Sequence, residues 1–341
     1  MKTRTGPALA LTAAVARPAG RITAAGPGPR PAIAGPLLFA RYAFPPNDRG
    51  LCGPNDRAAL RSYATSGVAD PGLVRLARGF AGAWPYLQLI AAANRIVDPL
   101  DRRVVEAYWI GNDLLDSVRM SDYGTFLDER FRGRAGRGWE RIAQAIPAAA
   151  VPHHSFHVFG VYPWTGLLRA GHAEPSLQVL DSCRISWGRV IAVGPAAGTV
   201  LVRRRPLTWD GRLLGYGAAV PCKVAAGFVA GLGAGDWVSM HWDCVCDRLS
   251  GRQLLFLRRF TVRHLRLANA LSVNWLPVGR GDQPHPGALQ SRRQNPDEPL
   301  GELVPDHRVG GATGPHRGRV ELERFYRGRA HRAERPLIRR E

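Results

Sequence analysis

Lysine is nearly missing from this chain: Lys2 and Lys223 are the only two among 47 basic residues. With 39 Gly and 27 Pro alongside, the arginine bias resembles that of a GC-rich genome, so part of the net charge of +20 reflects composition and not a binding duty. Cysteine is sparse as well. Five cysteines in 341 residues do not make a disulfide scaffold, so a cytoplasmic protein held by an apolar core is expected. The 45% hydrophobic content supplies that core and excludes a wholly disordered chain. Long apolar runs are absent too. Gly, Pro or Arg interrupts each within roughly 10–12 residues, short of the ~20 that a membrane-spanning helix needs. Acidic residues are few, yet the basic excess is spread along the chain and not gathered into the stripe that nucleic acid favours. Arg203-Arg204-Arg205 is the nearest approach to one. No Walker loop, Rossmann fingerprint, HExxH or Gly-x-Ser-x-Gly occurs, which removes the commonest routes to nucleotide, zinc-protease and hydrolase chemistry.

What is present divides by texture. Residues 1–34 carry Lys2, Arg4, Arg17, Arg21 and Arg30 with no acid, and are expected to be a disordered leader. Residues 35–150 have helical period. Asp56 is a cap for a helix through Leu60 and Tyr63, Asp70-Pro71 starts a second, and Asp98-Pro99 a third that runs to Leu115 and Val118. Asp122 is a cap for a short fourth. Residues 151–177 read as a linker or interface segment. From 178 short β-branched or aromatic runs follow one another: Leu177–Val179, Ile185–Val193, Thr199–Arg203, Leu213–Tyr216, Cys222–Phe228 and Trp237–Trp242. Gly, Pro and the turn dipeptide Asp210-Gly211 separate them. Such spacing predicts a small OB-like β-barrel over 178–270, closed by a C-terminal helix with Leu254, Leu257, Val262 and Leu265 on its faces. Residues 271–341 lose the pattern and are expected to be a disordered tail. The fold class is α+β.

Two stretches of the barrel segment carry a likeness. Cys183-Arg184-Ile185-Ser186-Trp187-Gly188 leads into Arg189-Val190-Ile191-Ala192-Val193. Further on, Gly235-Asp236-Trp237-Val238-Ser239-Met240-His241 precedes Asp247-Arg248-Leu249-Ser250 and the closing helix. In this order they resemble the HypC/HupF family of hydrogenase maturation chaperones. That family holds an iron carrying cyanide and carbonyl ligands through a cysteine and a strand-end histidine. It passes the iron to the large subunit of a nickel–iron hydrogenase. The resemblance implies Cys183 and His241 as metal ligands, iron as the cofactor, and that large subunit or other maturation proteins as partners. Trp187 and Arg184, beside the cysteine, are the partner-binding candidates. The whole chain also resembles an uncharacterised bacterial family found near hydrogenase genes, through residues 39–47 and 153–160.

Other constellations stay open. His153, His154 and His157 form an alternative metal site, since positions four apart share a helical face, and would make the chain a metalloenzyme. Satisfied histidines in an interface segment are the plainer reading. Cys244-Val245-Cys246 with His241 nearby is a second metal candidate. Alternation along a single strand would turn the cysteines away from the histidine and leave Cys246 in the core. Cys52 in Gly50-Leu51-Cys52-Gly53-Pro54 lacks an identifiable base. Glu106, Asn112, Asp113 and Asp116 read as the wet face of a helix. A basic barrel with Arg203–Arg205, Trp187 and Trp209 would also suit single-stranded nucleic acid.

Overall fold

A computed structural model describes residues 33–135, 139, 140, 143, 150–162, 164–194 and 198–273. Most of the expected leader and most of the expected tail lie outside them.

Helix α1 (Gly35–Asp48) is the axis of the helical part. Leu38, Phe39, Tyr42 and Ala43 are all buried, because α1 packs on other helices and also on the β-structure. Its start fits only glycine: a Cβ on Gly35 would fall 1.7 Å from Leu100 O. Pro45 and Pro46 occupy its last turns, and Asn47 Nδ2 donates to Cys52 O and Pro54 O, folding the following turn back. Helices α2 (Arg57–Ser66) and α3 (Pro71–Arg78) begin where the sequence places them. Asp56 accepts from Ala59 N, and Asp70 from Gly72 N and Leu73 N. Helix α4 (Trp84–Ala93) follows. The third expected helix is shorter than its apolar pattern. In α5 (Arg102–Trp109) the cap is Asp101 and not Asp98, which instead accepts from Leu100 N in the turn before. Gly111, at φ +95°, breaks the helix, so Leu115 falls in a separate 3₁₀ turn, Asp113–Ser117. Asp122 lies inside the first turn of α6 (Met120–Ala135).

The expected linker or interface segment, residues 151–177, is largely helical where described, and the helical structure runs on to Cys183. Its elements are α7 (His154–Phe156), a π-helical turn (His157–Val161), α8 (Trp164–Arg169) and α9 (Ala173–Cys183). The run Leu177–Val179, expected as a strand, is therefore helical. Three apolar-rich residues cannot distinguish the two states, and Pro175 in the first turn is a helix-start signal. The β-structure begins at Ser186, not 178.

Strands β1 (Ser186–Val193), β2 (Thr199–Arg204), β5 (Val220–Ala225), β7 (Cys244–Arg248) and β6 (Trp237–His241) curl in that order, and β6 returns to β1. Four seams are antiparallel ladders; the β5–β7 seam is one parallel pair, Ala225 opposite Cys244. The barrel is thus continuous on four sides and only pinned on the fifth. Val190, Val200, Val202, Val224, Val238, Met240 and Val245 fill it. Strands β3 (Leu207–Trp209) and β4 (Leu214–Tyr216) make a side hairpin around Asp210, which accepts from Arg212 N and Leu213 N. Helix α10 (Gly251–Val273) closes the described chain. It buries Leu254, Leu257 and Phe260 in the same cluster as Phe39, Tyr42, Ile185 and Cys246. One apolar cluster thus runs from the helical part to Ile185 and Cys246 beside the barrel, and all the described residues belong to one compact unit. Among the described residues no helix is long and apolar enough to cross a membrane.

Asp181 on α9 ties this layer together. It accepts from Arg184 Nε and Nη2, from Arg204 Nη1 and from Leu207 N. Arg184 also donates to Arg205 O and is 1% exposed, so its guanidinium is not available to a partner, contrary to the expectation from its place beside Cys183. Asp181→Ala is expected to cost roughly 3–5 kcal/mol in urea unfolding, because it strands the buried guanidinium. A loss below about 1 kcal/mol would show the network to be dispensable.

Candidate metal centre

Three elements end at one place. Cys183 is the last residue of α9, where Arg184 turns extended (ψ 144°) and gives its N–H to Leu180 O. His241 is the last residue of β6. The next two residues, Trp242 (φ 48°) and Asp243 (φ 57°), form a tight hairpin turn into β7. Trp242 N donates to Ser182 O at 2.9 Å, which fastens that hairpin tip to the end of α9. His154 opens α7, where the His153 ring caps Ser155 N.

One ring nitrogen of His154, one of His241 and the Cys183 sulfur all lie within 4.8 Å of one another, and all three residues are buried. Both rings are oriented through backbone carbonyls. His241 Nδ1–H donates to Tyr42 O at 2.8 Å, and His154 Nε2–H donates to Cys183 O at 2.9 Å. His241 Nε2 is left buried with no hydrogen-bond partner among the described residues. A ring fixed through one nitrogen with the other left bare is the usual setting of a metal-binding histidine. Tyr108 Oη, which donates to Gly82 O, lies 3.2 Å from His154 Nδ1.

Burial sets the protonation states. It lowers His154 to about 4, and holds His241 well below the ordinary histidine value with smaller pushes from His154 and Arg49. The Cys183 thiol is pushed up to about 12, although the Trp242 indole beside it favours the thiolate. At neutral pH the group is two neutral imidazoles and a protonated thiol. Two nitrogens and one sulfur suit iron or zinc, and three protein donors leave coordination positions open. His154, Cys183 and His241 all line a pocket of about 480 Å³, its open part included. Phe80, Trp109 and Trp242 give it apolar walls; Cys52, Tyr108 and His157 give it polar ones.

The structure therefore brings together the cysteine and histidine that the resemblance pairs, and adds His154. The alternative set does not assemble. His153 turns away toward α10, where its Nδ1 takes a 2.7 Å hydrogen bond from Ser155 Oγ, itself 2.7 Å from His264 Nδ1. His157 lies on another wall of the pocket, its Nδ1 3.0 Å from Tyr86 Oη. One turn is too short and irregular to stack His153 over His157: α7 has three residues before the π-turn starts. Cys244 and Cys246 stay out of the group, Cys246 in the core as expected. The cause differs from the one expected, because His241 and Cys244 lie on opposite arms of a hairpin and not along one strand.

The remaining candidates are occupied elsewhere. Trp187 is half-buried, with Arg184 and Arg258 guanidinium carbons 5.7 and 5.8 Å from its ring. Arg204 is half-buried and bound to Asp181, while Arg203 and Arg205 are both exposed, Arg205 donating to the Gly217 and Tyr216 carbonyls. Glu106 holds Gln253 and Arg102, and Asp113 holds Arg252. Sequence reasoning left Cys52 isolated, yet it lines the same pocket as Cys183. Its thiol is raised by burial and, second, by Cys183.

No curated protein and no solved structure matches this chain. A family model does match, over residues 31–274, a span that holds every element described and all three donors. The chain belongs to the DUF6390 family, a family of unknown function.

Proposed function

We propose that this protein is a cytoplasmic accessory factor in nickel–iron hydrogenase maturation that holds iron, bare or carrying cyanide and carbonyl ligands, through Cys183 and His241. Its cargo or client is the large-subunit precursor, and it performs no turnover of its own. The observation that carries this reading is the meeting of Cys183 and His241, from the end of a helix and the end of a strand, in one buried group. Three further features support it. The pair is the one named by the resemblance to HypC/HupF chaperones. His241 presents a bare Nε2 already oriented from behind by Tyr42 O. The donor set is a soft thiolate with imidazoles, suited to iron. His154 adds a third donor from the helical part, for which the resemblance has no counterpart.

The test is purification under anaerobic, reducing conditions, with metal analysis and capture of a hydrogenase large-subunit precursor measured on the same eluate. Iron near one equivalent, lost in Cys183→Ala and in His241→Ala, is the expected result. A protein that takes up no iron on reconstitution and ignores the large subunit would remove the proposal.

A further inference from the structure

The pocket in front of the three donors carries groups that holding a metal does not use. A divalent ion with one thiolate and two neutral rings leaves a single positive charge in a buried site. Among the described residues none that lines the pocket is acidic. The nearby Arg49, whose guanidinium lies 6.0 Å from the Trp242 ring centre and whose charge acts on His241, has the same sign. An uncompensated charge of this kind is costly to bury, so the site calls for an anion from outside the chain.

One wall is built to receive it. His157 is 3% exposed, and its Nε2 has no hydrogen-bond partner among the described residues. Its Nδ1 faces the Tyr86 hydroxyl at 3.0 Å, and burial keeps the ring neutral. With Tyr86 donating to Nδ1, the ring proton sits on Nε2. Gly82 keeps that side clear: a Cβ there would stand 3.3 Å from His157 Nε2. Cys52, its thiol kept protonated by burial, is a second weak donor on the pocket wall.

We propose that the pocket binds a small exogenous monoanion, which occupies an open coordination position of the metal and accepts a hydrogen bond from His157 Nε2–H. The inference rests on the metal reading above. The remaining walls, Phe80, Trp109 and Trp242, are apolar and favour a weakly hydrated anion over a strongly hydrated one.

The experiment uses the full chain, reduced and anaerobic, loaded with cobalt(II) and titrated with sodium azide while the visible spectrum is followed. A saturable spectral change is expected in the wild type. His157→Leu should weaken azide about tenfold or more, the usual worth of a hydrogen bond to a charged group. His157→Gln, which keeps an N–H, should restore most of it. Cobalt affinity should stay unchanged in both, which also shows that the variants fold. Tyr86→Phe, a milder change that frees the ring proton to move to Nδ1, should weaken azide several-fold. Failure to bind cobalt overturns the metal reading and this inference with it. Cobalt uptake without an azide response overturns this inference alone, as does equal azide affinity in wild type and His157→Leu.

Discussion

Lowering the pH from 7 to 5.5 is expected to remove about 6 kcal/mol of folding stability and to unfold the metal-free protein near pH 5. Five buried histidines are responsible. Burial lowers His153 and His157 to about 3 and His154 to about 4, and holds His241 and His264 well below the ordinary value. No carboxylate is among the groups acting on any of them; the neighbours that matter are other histidines, Arg49 and Arg263. Above pH ~6.5 folded and unfolded chains are both neutral at these positions, and the stability is fully present. Below it the unfolded chain takes up protons that the folded chain refuses. Each ring then costs about 1.4 kcal/mol per pH unit until the folded value is reached. By pH 5.5 that is roughly 1 kcal/mol or slightly more per ring relative to pH 7, against a total stability of about 5–15 kcal/mol for an ordinary domain. Tryptophan fluorescence and far-UV circular dichroism should show one steep transition with an uptake of about five protons. A protein that stays folded below pH 4 would mean that these rings carry charge, or water, inside the fold.

The same burial explains how far the sequence could be read. Caps and periods are local, and they were legible: Asp56 and Asp70 cap the helices they precede, and the runs at Thr199 and Trp237 are strands. The α+β order of helices, curled sheet and closing helix followed from them. The Trp242-Asp243 turn was not legible, because two non-glycine residues at positive φ carry no turn signal in the sequence. That turn sends β7 back along β6 and brings the chain at Trp242 against Ser182. The Cys183–His241 pairing rests on a resemblance and not on spacing, and the third donor is marked in the sequence only as one of three neighbouring histidines. His153, His154 and His157 look alike in sequence. Which of them meets Cys183 depends on where α7 lies against α9, through the bond from His154 Nε2–H to Cys183 O. Arg184 misled for a related reason: beside a candidate ligand it looks like a binding residue, but Asp181 three positions earlier claims it.

Metal affinity should rise tenfold for each unit of pH between 6 and 8. Over that range the Cys183 thiol, pushed up to about 12, stays protonated in the metal-free protein and must lose its proton when the metal arrives. The imidazoles need lose none, since His154 titrates at about 4 and His241 is also held low. One proton released per metal bound gives a slope of one in log affinity against pH. Cys183→Ser should flatten that slope and weaken binding by two to three decades, taking roughly 3 kcal/mol as one ligand's share of a typical protein–zinc binding energy. His154→Ala should weaken binding while leaving the slope at one, because a neutral ring contributes affinity without a proton. Competition titrations with a chelator of known pH dependence, using zinc or cobalt(II), measure both quantities. A wild-type slope near two has its own meaning. The one other thiol on the pocket wall is Cys52, also raised by burial, so two protons would place it on the metal as a fourth donor. A slope of zero in the wild type would show that Cys183 does not bind as a thiolate. The centre would then reduce to two histidines, too few to hold a metal against water at micromolar concentration.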